Sequence, residues 1–533
     1  MYMRREIRYL PVQILVLLII NRVGLSQGVS PDSTQSIILR HYTPPLSAEL
    51  IRPSQTEYRL WEGFMLVRKA NDGDPAAEHE LGLRYFLGEG FPIDTLRAAY
   101  WIKRAAEQKM PIAEYNFGVF LNNGWGISWN PFKAFGEFDN AAGQHLPEAE
   151  LALGLMYTDN LVVPRNLSRA YRLVKEAADA KYPPARRVLK IFVEQGVTDS
   201  TDTTSEVSTE GDTASNVNSS GFEPVFLNFN RDSITDVNDS TIIEEAYRKG
   251  GAILMSAFPA KGLSAISQAG RPGTIKIVER AANLGDPQAL TILGRCYQKG
   301  VGVHRDDILA AEQYLRAARL DSRQALVLLL KLVRRKSFDA EVESRTKAGD
   351  TDAAFVWAGL TELGLDHRVD GHQAFKLLSA AAAEGNIPSL LELGRCYYTG
   401  EWTSINPMLG KQCWMQAANE GSSEARVRLA ATVVLADSAS SDSGVLIARD
   451  AALSDTIHTL LDASAEGSII AQLAIGYCYE YGIGLPRDTA DAVRVYRQCA
   501  DRGSSSAYEA LRKMYDRIRP KTPKFQIKGR GYG

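Results

Sequence analysis

Leu81-Gly82, Phe117-Gly118 and Leu153-Gly154 stand 36 residues apart, and similar pairs return at Leu293-Gly294, Ala358-Gly359, Leu393-Gly394 and Ile475-Gly476. Such a period constrains a chain more than its composition does, because each unit is one supersecondary piece that buries its apolar face only against its neighbours. Leu189-Lys190, Leu330 and Leu429-Ala430 carry the period on in degenerate form. The step from Leu330 to Gly359 is short, and the step into Ile475 holds an insertion containing Asp437 to Gly444.

The order inside a unit is constant: an apolar helix A with Leu-Gly-x-x-Tyr, a glycine turn, then a helix B closing on an Ala pair. Gly82, Gly118, Gly154, Gly294, Gly394 and Gly476 fall mid-helix, where glycine costs roughly 1 kcal/mol against alanine. That cost is tolerable where helix B must come closer than a side chain allows. The Ala pairs at 105–106, 141–142, 177–178, 317–318 and 417–418 are expected to supply the matching small surface. Tyr85, Tyr157, Tyr297, Tyr397 and Tyr479 follow the glycine by three residues and fill the space between helices. Gly88, Gly124, Gly300 and Gly482 end helix A in the left-handed conformation. Gly73-Asp74-Pro75 and Gly285-Asp286-Pro287 read as the end of one helix, then the N-cap and first residue of the next. These glycine pairs follow helices and do not open one after a strand, so they are not phosphate loops. The fold class is all-α, an α-solenoid in two arrays.

The ends and the junction differ from the repeats. Arg4, Arg5 and Arg8 precede an apolar stretch from Ile14 to Ile20, the pattern of an export signal too short to span a bilayer. The expected organisation is a signal over 1–26, an N-terminal linker over 27–57 and a first array over 58–196. A Ser/Thr/Asp-rich linker follows over 197–225, then an irregular helical cap over 226–273, a second array over 274–519 and a basic tail over 520–533. The junction carries too little apolar area to offset the entropy of ordering it. The expected location is outside the cytoplasm, in a periplasm, a secretory lumen or the medium, with no membrane span in the mature chain.

The pattern Leu-Gly-x-x-Tyr, Gly-x-Gly, Ala-Ala resembles the Sel-1-like repeat, a branch of the tetratricopeptide-type helical repeats. It is clearest in the units beginning at Ala76, Gln288 and Gln472 and lost in those near Pro183, Arg323 and Ser423. The resemblance implies a right-handed superhelix of repeats of about 36 residues. It also implies an adaptor that holds partners on the face lined by helix A and catalyses nothing. Exported bacterial proteins and proteins of quality control at the endoplasmic reticulum membrane both fall in this family.

The chemistry agrees with a non-enzyme that needs no cofactor. His79-Glu80 does not extend to HExxH, and no GxSxG, Walker loop or CxxC occurs. Asp366, His367, Asp370 and His372 form a chelating-looking set in a turn, where Asp serves backbone geometry as readily, and no metal site is assigned. Cys296, Cys396 and Cys478 share one repeat position and read as small buried residues; bridges from Cys396 to Cys413 and from Cys478 to Cys499 are open to them. Sixty-one basic against 63 acidic residues exclude a general nucleic-acid binder. The expected partner is a protein or peptide, with oligomeric state undetermined. The candidate groove is the helix A stripe beside the Leu-Gly-Tyr face. It holds His79, Leu83 and Phe86, then Tyr115, Val119 and Asn122. In the second array it runs through Thr291, Arg295 and Gln298, through Leu391, Arg395 and Tyr398, and through Leu473, Tyr477 and Glu480. Packing between repeats is the competing role of this stripe. The alternative function is a cell-envelope or secretory-pathway hydrolase on a helical-repeat scaffold.

Overall fold

The computed structural model describes residues 50–52, 63–194, 196–199, 237–257, 271–335, 337–437 and 446–526. The signal, nearly all of the junction and residues 527–533 lie outside these residues. The described residues contain 24 α-helices and no strand. The first eight are α1 (Gly63–Asn71), α2 (Pro75–Leu87), α3 (Thr95–Glu107), α4 (Pro111–Asn123), α5 (Pro131–Ala142), α6 (Pro147–Met156), α7 (Leu167–Asp179) and α8 (Pro183–Glu194). After the junction come α9 (Asp239–Lys249), α10 (Ala252–Ala257), α11 (Pro272–Asn283), α12 (Pro287–Lys299), α13 (Asp307–Arg319), α14 (Arg323–Val333), α15 (Phe338–Lys347) and α16 (Thr351–Glu362). The last eight are α17 (Gly371–Ala383), α18 (Ile387–Thr399), α19 (Pro407–Asn419), α20 (Ser423–Asp437), α21 (Leu446–Glu466), α22 (Ile469–Tyr481), α23 (Thr489–Asp501) and α24 (Ser505–Ile518).

Helix A and helix B of a unit pack through the mid-helix glycine. A Cβ on Gly82, Gly118, Gly154, Gly294 or Gly476 would stand 2.6–2.9 Å from Ile102, Phe138, Val174, Tyr314 or Tyr496, and one on Gly394 would run into Trp414. Each of these partners lies twenty residues beyond its glycine and is buried. The glycine therefore accommodates a bulky side chain of helix B, not the Ala pair expected from the sequence. Backbone approach adds to this at Gly82, Gly154 and Gly294, whose Cβ would meet the carbonyls of Ala98, Ala170 and Ala310 at 3.1–3.2 Å. The turn is tied at a constant point: the N–H of the helix B N-cap donates to the tyrosine carbonyl in Asp94–Tyr85, Asn166–Tyr157, Asp306–Tyr297, Asn406–Tyr397 and Asp488–Tyr479.

The described residues divide into two units, one within 30–228, 489–494 and 510–533, the other within 229–488 and 495–509. In the first unit the C-terminal segment is built in. Phe525 makes edge contacts with Phe132 and Phe135 of α5, Tyr515 does so with Trp129 and Phe132, and Lys524 reaches Asp139. Residues 520–526, expected as part of a free tail, thus fold back because Phe525 finds aromatic cover there.

In the second unit the degenerate stretches still form helices, α14 and α15, then α20 and α21. The unit also closes on itself. Arg316 on α13 reaches Glu424 at 3.2 Å, Asn283 pairs with the backbone of Gly421 and Ser423, and Ser505 N–H donates to Asp321 at 3.0 Å. The α9–α10 segment joins this seam, where Gly251 N–H donates to Asp286 and packs against the backbone of Glu466 and Gly467.

Candidate functional site

In the first array, α2 and α4 are set by the local code. Asp74 caps α2, accepting from Ala77 N–H at 2.9 Å with Pro75 at the first position, and α2 and α4 end on left-handed Gly88 and Gly124. This phase brings Glu80 and Asn116 to the same repeat position, 36 residues apart. Corresponding positions in other units hold Ala152, Ile292, Trp357 and Ala474, and one holds Glu392, so a polar group here departs from the commoner apolar choice.

Residues 50–52 occupy that position. The Asn116 amide accepts from Ile51 N–H at 2.9 Å and donates to the Ile51 carbonyl at 2.7 Å. One residue presents both groups to the same side only when its backbone is extended, as in a strand pair. The Asn116 Nδ2 also lies 2.7 Å from His79 Nε2. The next residue, Arg52, places Nε and Nη2 3.1 and 3.0 Å from the two oxygens of Glu80, and Nη1 and Nη2 3.1 and 2.7 Å from those of Glu89. Glu80 is 1% exposed and also takes Arg84 Nε at 3.0 Å. Two forked carboxylates around one guanidinium form a charge-assisted site that an ammonium cannot match donor for donor.

The ten candidate residues fall mostly into packing. His79, Tyr115, Asn122, Gln298, Arg395, Tyr398, Tyr477 and Glu480 are buried, and Phe86 and Arg295 are half-buried. Phe86 packs on Phe120 and Trp125, Tyr115 on Phe138, Tyr398 stacks on Trp414 and Tyr477 lies against Tyr481. Asn122 is buried with neither amide atom paired among the described residues. Arg295 binds Asp239 of α9 and Gln298, which also accepts from Tyr314; Glu480 accepts from Tyr496. Of the ten, only His79 adjoins the 50–52 segment. Glu80, Glu89 and Asn116, which hold it, lie outside the candidate groove, Glu80 and Asn116 one helix position beyond its stripe. The available signal is a polar residue in two adjoining repeats at a position where most sister repeats carry an apolar one.

Arg395 instead sits in a buried quartet. Its Nε donates to Glu392 at 2.7 Å, Glu362 lies on its other side, and Arg319 binds both carboxylates, 3.0 Å from Glu392. Burial, with the neighbouring Glu392 charge added, pushes Glu362 up to about 7. Glu392 feels the same burial, but Arg319 and Arg395 overcome it and hold its carboxyl down at about 2.

The turn set resolves into structural roles: Asp366 takes the Arg368 backbone N–H at 2.8 Å and its guanidinium, and Asp370 forms a capping box with Gln373 on α17. All five cysteines are free thiols. Burial pushes those of Cys296, Cys478 and Cys499 up to about 12, which leaves them protonated and unreactive near neutrality.

The profile of the Sel1 repeat matches residues 75–110, 111–136, 147–182, 287–322, 351–386, 387–422 and 469–504. This chain carries seven Sel1 repeats. Among solved structures, it is similar to c5321, a protective antigen of uropathogenic Escherichia coli strains displaying an SLR fold, at 20% identity over 86% of this chain and 94% of that one, with a TM-score of 0.27. A Sel1 repeat protein from Oxalobacter formigenes matches at 28% identity over 24% of this chain and 96% of its own, with a TM-score of 0.23. Among its described residues this chain has no helix long and apolar enough to cross a membrane.

His79 gives this site a pH dependence. Burial first, then the Arg52 charge, push its imidazole down to about 4. The unfolded chain takes up this proton near 6.5 and the folded chain only near 4, so stability is full above 6.5 and falls as pH drops through that window. At about 1.4 kcal/mol per pH unit the loss approaches roughly 3 kcal/mol. Urea denaturation of the His79→Asn variant is expected to show a flatter profile between pH 6.5 and 4 than the parent.

Proposed function

We propose that this Sel1 repeat protein is an exported, non-enzymatic scaffold that binds protein or peptide segments through its helix arrays. The observation carrying this reading is the Asn116 amide, which grips the backbone of an extended residue on both its N–H and its C=O. Backbone contacts of this kind give affinity for a peptide, while the flanking side chains select its sequence. The Arg-rich start and apolar stretch of residues 1–26 support export. Two arrays on one chain can engage a partner bivalently and raise its effective concentration.

The test uses full-length chain as bait in the compartment to which it is delivered, beside an Asn116→Ala variant whose fold is checked by circular dichroism. A partner bound through this contact is expected to be recovered about tenfold less with the variant, the loss of roughly 1.4 kcal/mol in one hydrogen-bonded contact. Equal recovery with both baits refutes the reading.

A further inference from the structure

We propose that the Glu80–Glu89–Asn116 face is a recognition site for an extended peptide bearing an aliphatic residue followed by arginine, and that Ile51-Arg52 of this same chain is its resident occupant, displaced by a partner peptide of the same chemistry. The inference rests on the peptide-binding reading above and adds to it the ligand sequence and the internal competitor.

Four features carry it. The site is built and not incidental, since Glu80 and Asn116 are buried, stand at one repeat position and each makes two contacts to the segment. The segment is held by its backbone at Ile51 and by its charge at Arg52, a division of labour that suits a peptide and needs no helix packing. Arg52 is matched with geometry, because four donor contacts to two carboxylates use the planar fork of a guanidinium. Leu50, Ile51 and Arg52 are only partly buried, so the occupant lies on the face and is not threaded through the core.

Only ten residues separate Arg52 from α1, and so short a tether holds the internal ligand at an effective concentration on the order of millimolar. A partner must outcompete that concentration, or act when residues 50–52 have left.

The experiment is fluorescence anisotropy with a labelled peptide of residues 46–56, LSAELIRPSQT, titrated with full-length protein. The comparison protein carries Ile51→Pro and Arg52→Ala, which remove the N–H that Asn116 accepts from and the guanidinium, outside any helix. It is expected to bind the peptide at least about tenfold more tightly than the parent. On that background, Asn116→Ala and, separately, the half-exposed Glu89→Gln are each expected to weaken binding several-fold. A peptide with lysine in place of Arg52 is expected to bind about tenfold less well. Equal affinity of parent and opened protein, or equal affinity for the arginine and lysine peptides, overturns the proposal. Asn116-dependent capture of a partner that persists beside such a result would leave the broader peptide-binding reading intact.

Discussion

Replacing Arg395 by leucine is expected to cost the second unit about 3–5 kcal/mol, the usual penalty for leaving a buried charge without its partner. Arg395 is 4% exposed, and its removal leaves Glu362 and Glu392 facing each other with only Arg319 between them. The pH dependence identifies the cause. In the parent, Glu362 is raised to about 7, so its contribution is full below the ordinary carboxylate value and is lost as pH rises toward 7. Without Arg395 both carboxyls titrate upward, so the variant's deficit should be larger at pH 8 than at pH 5 in urea denaturation followed by tryptophan fluorescence. A second substitution, Glu392→Leu, should recover much of the loss, because the two carboxylates no longer oppose each other. A deficit that does not change with pH would show that lost packing of the arginine stem, not charge, sets the effect.

The 36-residue marks, the glycine-ended helices and the Asp-Pro starts are local chemistry, and each appears in the structure where its residue types require it. What fills the glycine notch is not legible in the same way, since the identity of a packing partner twenty residues away depends on how helices B and A are rotated. Arg395 and Tyr398 looked like groove residues for a related reason: periodicity finds the helix face but does not say which neighbouring element covers it. Arg395 is neutralised by Glu392 of its own repeat and by Glu362 of another, which Arg319 also binds, and Tyr398 is covered by Trp414 of its own. Ile51 and Arg52 were invisible as ligands because a three-residue segment has no period at all.

The least legible property is closure, and Arg502 tests it. An ideal solenoid is one-dimensional, each repeat touching only the next. In the second unit, however, Arg502, just beyond α23, donates to Gln288 at 2.9 and 3.1 Å, to Gln472 at 2.9 Å and lies 3.2 Å from Asp286. Asp286 is fully buried and also caps α12 through the N–H groups of Gln288 and Ala289 while accepting from Gly251. One carboxylate therefore couples the start of the first repeat of this unit, the α9–α10 segment and its last repeat. Arg502→Leu should leave that carboxylate's charge unpaired and cost about 3–5 kcal/mol. Hydrogen exchange locates the loss: a one-dimensional stack confines faster exchange to α22, α23 and their neighbours, whereas closure requires it to rise also at residues 286–290, more than 200 residues away in sequence. Unchanged protection at 286–290 would mean that the seam carries no stability and that the repeats of this unit act as an open stack. The closed arrangement also explains why so many helix A polar groups here are paired internally: a superhelix that closes its seam satisfies its charges from its own chain, whereas in the first array the polar face of Glu80 and Asn116 is satisfied by an extended segment lying on it.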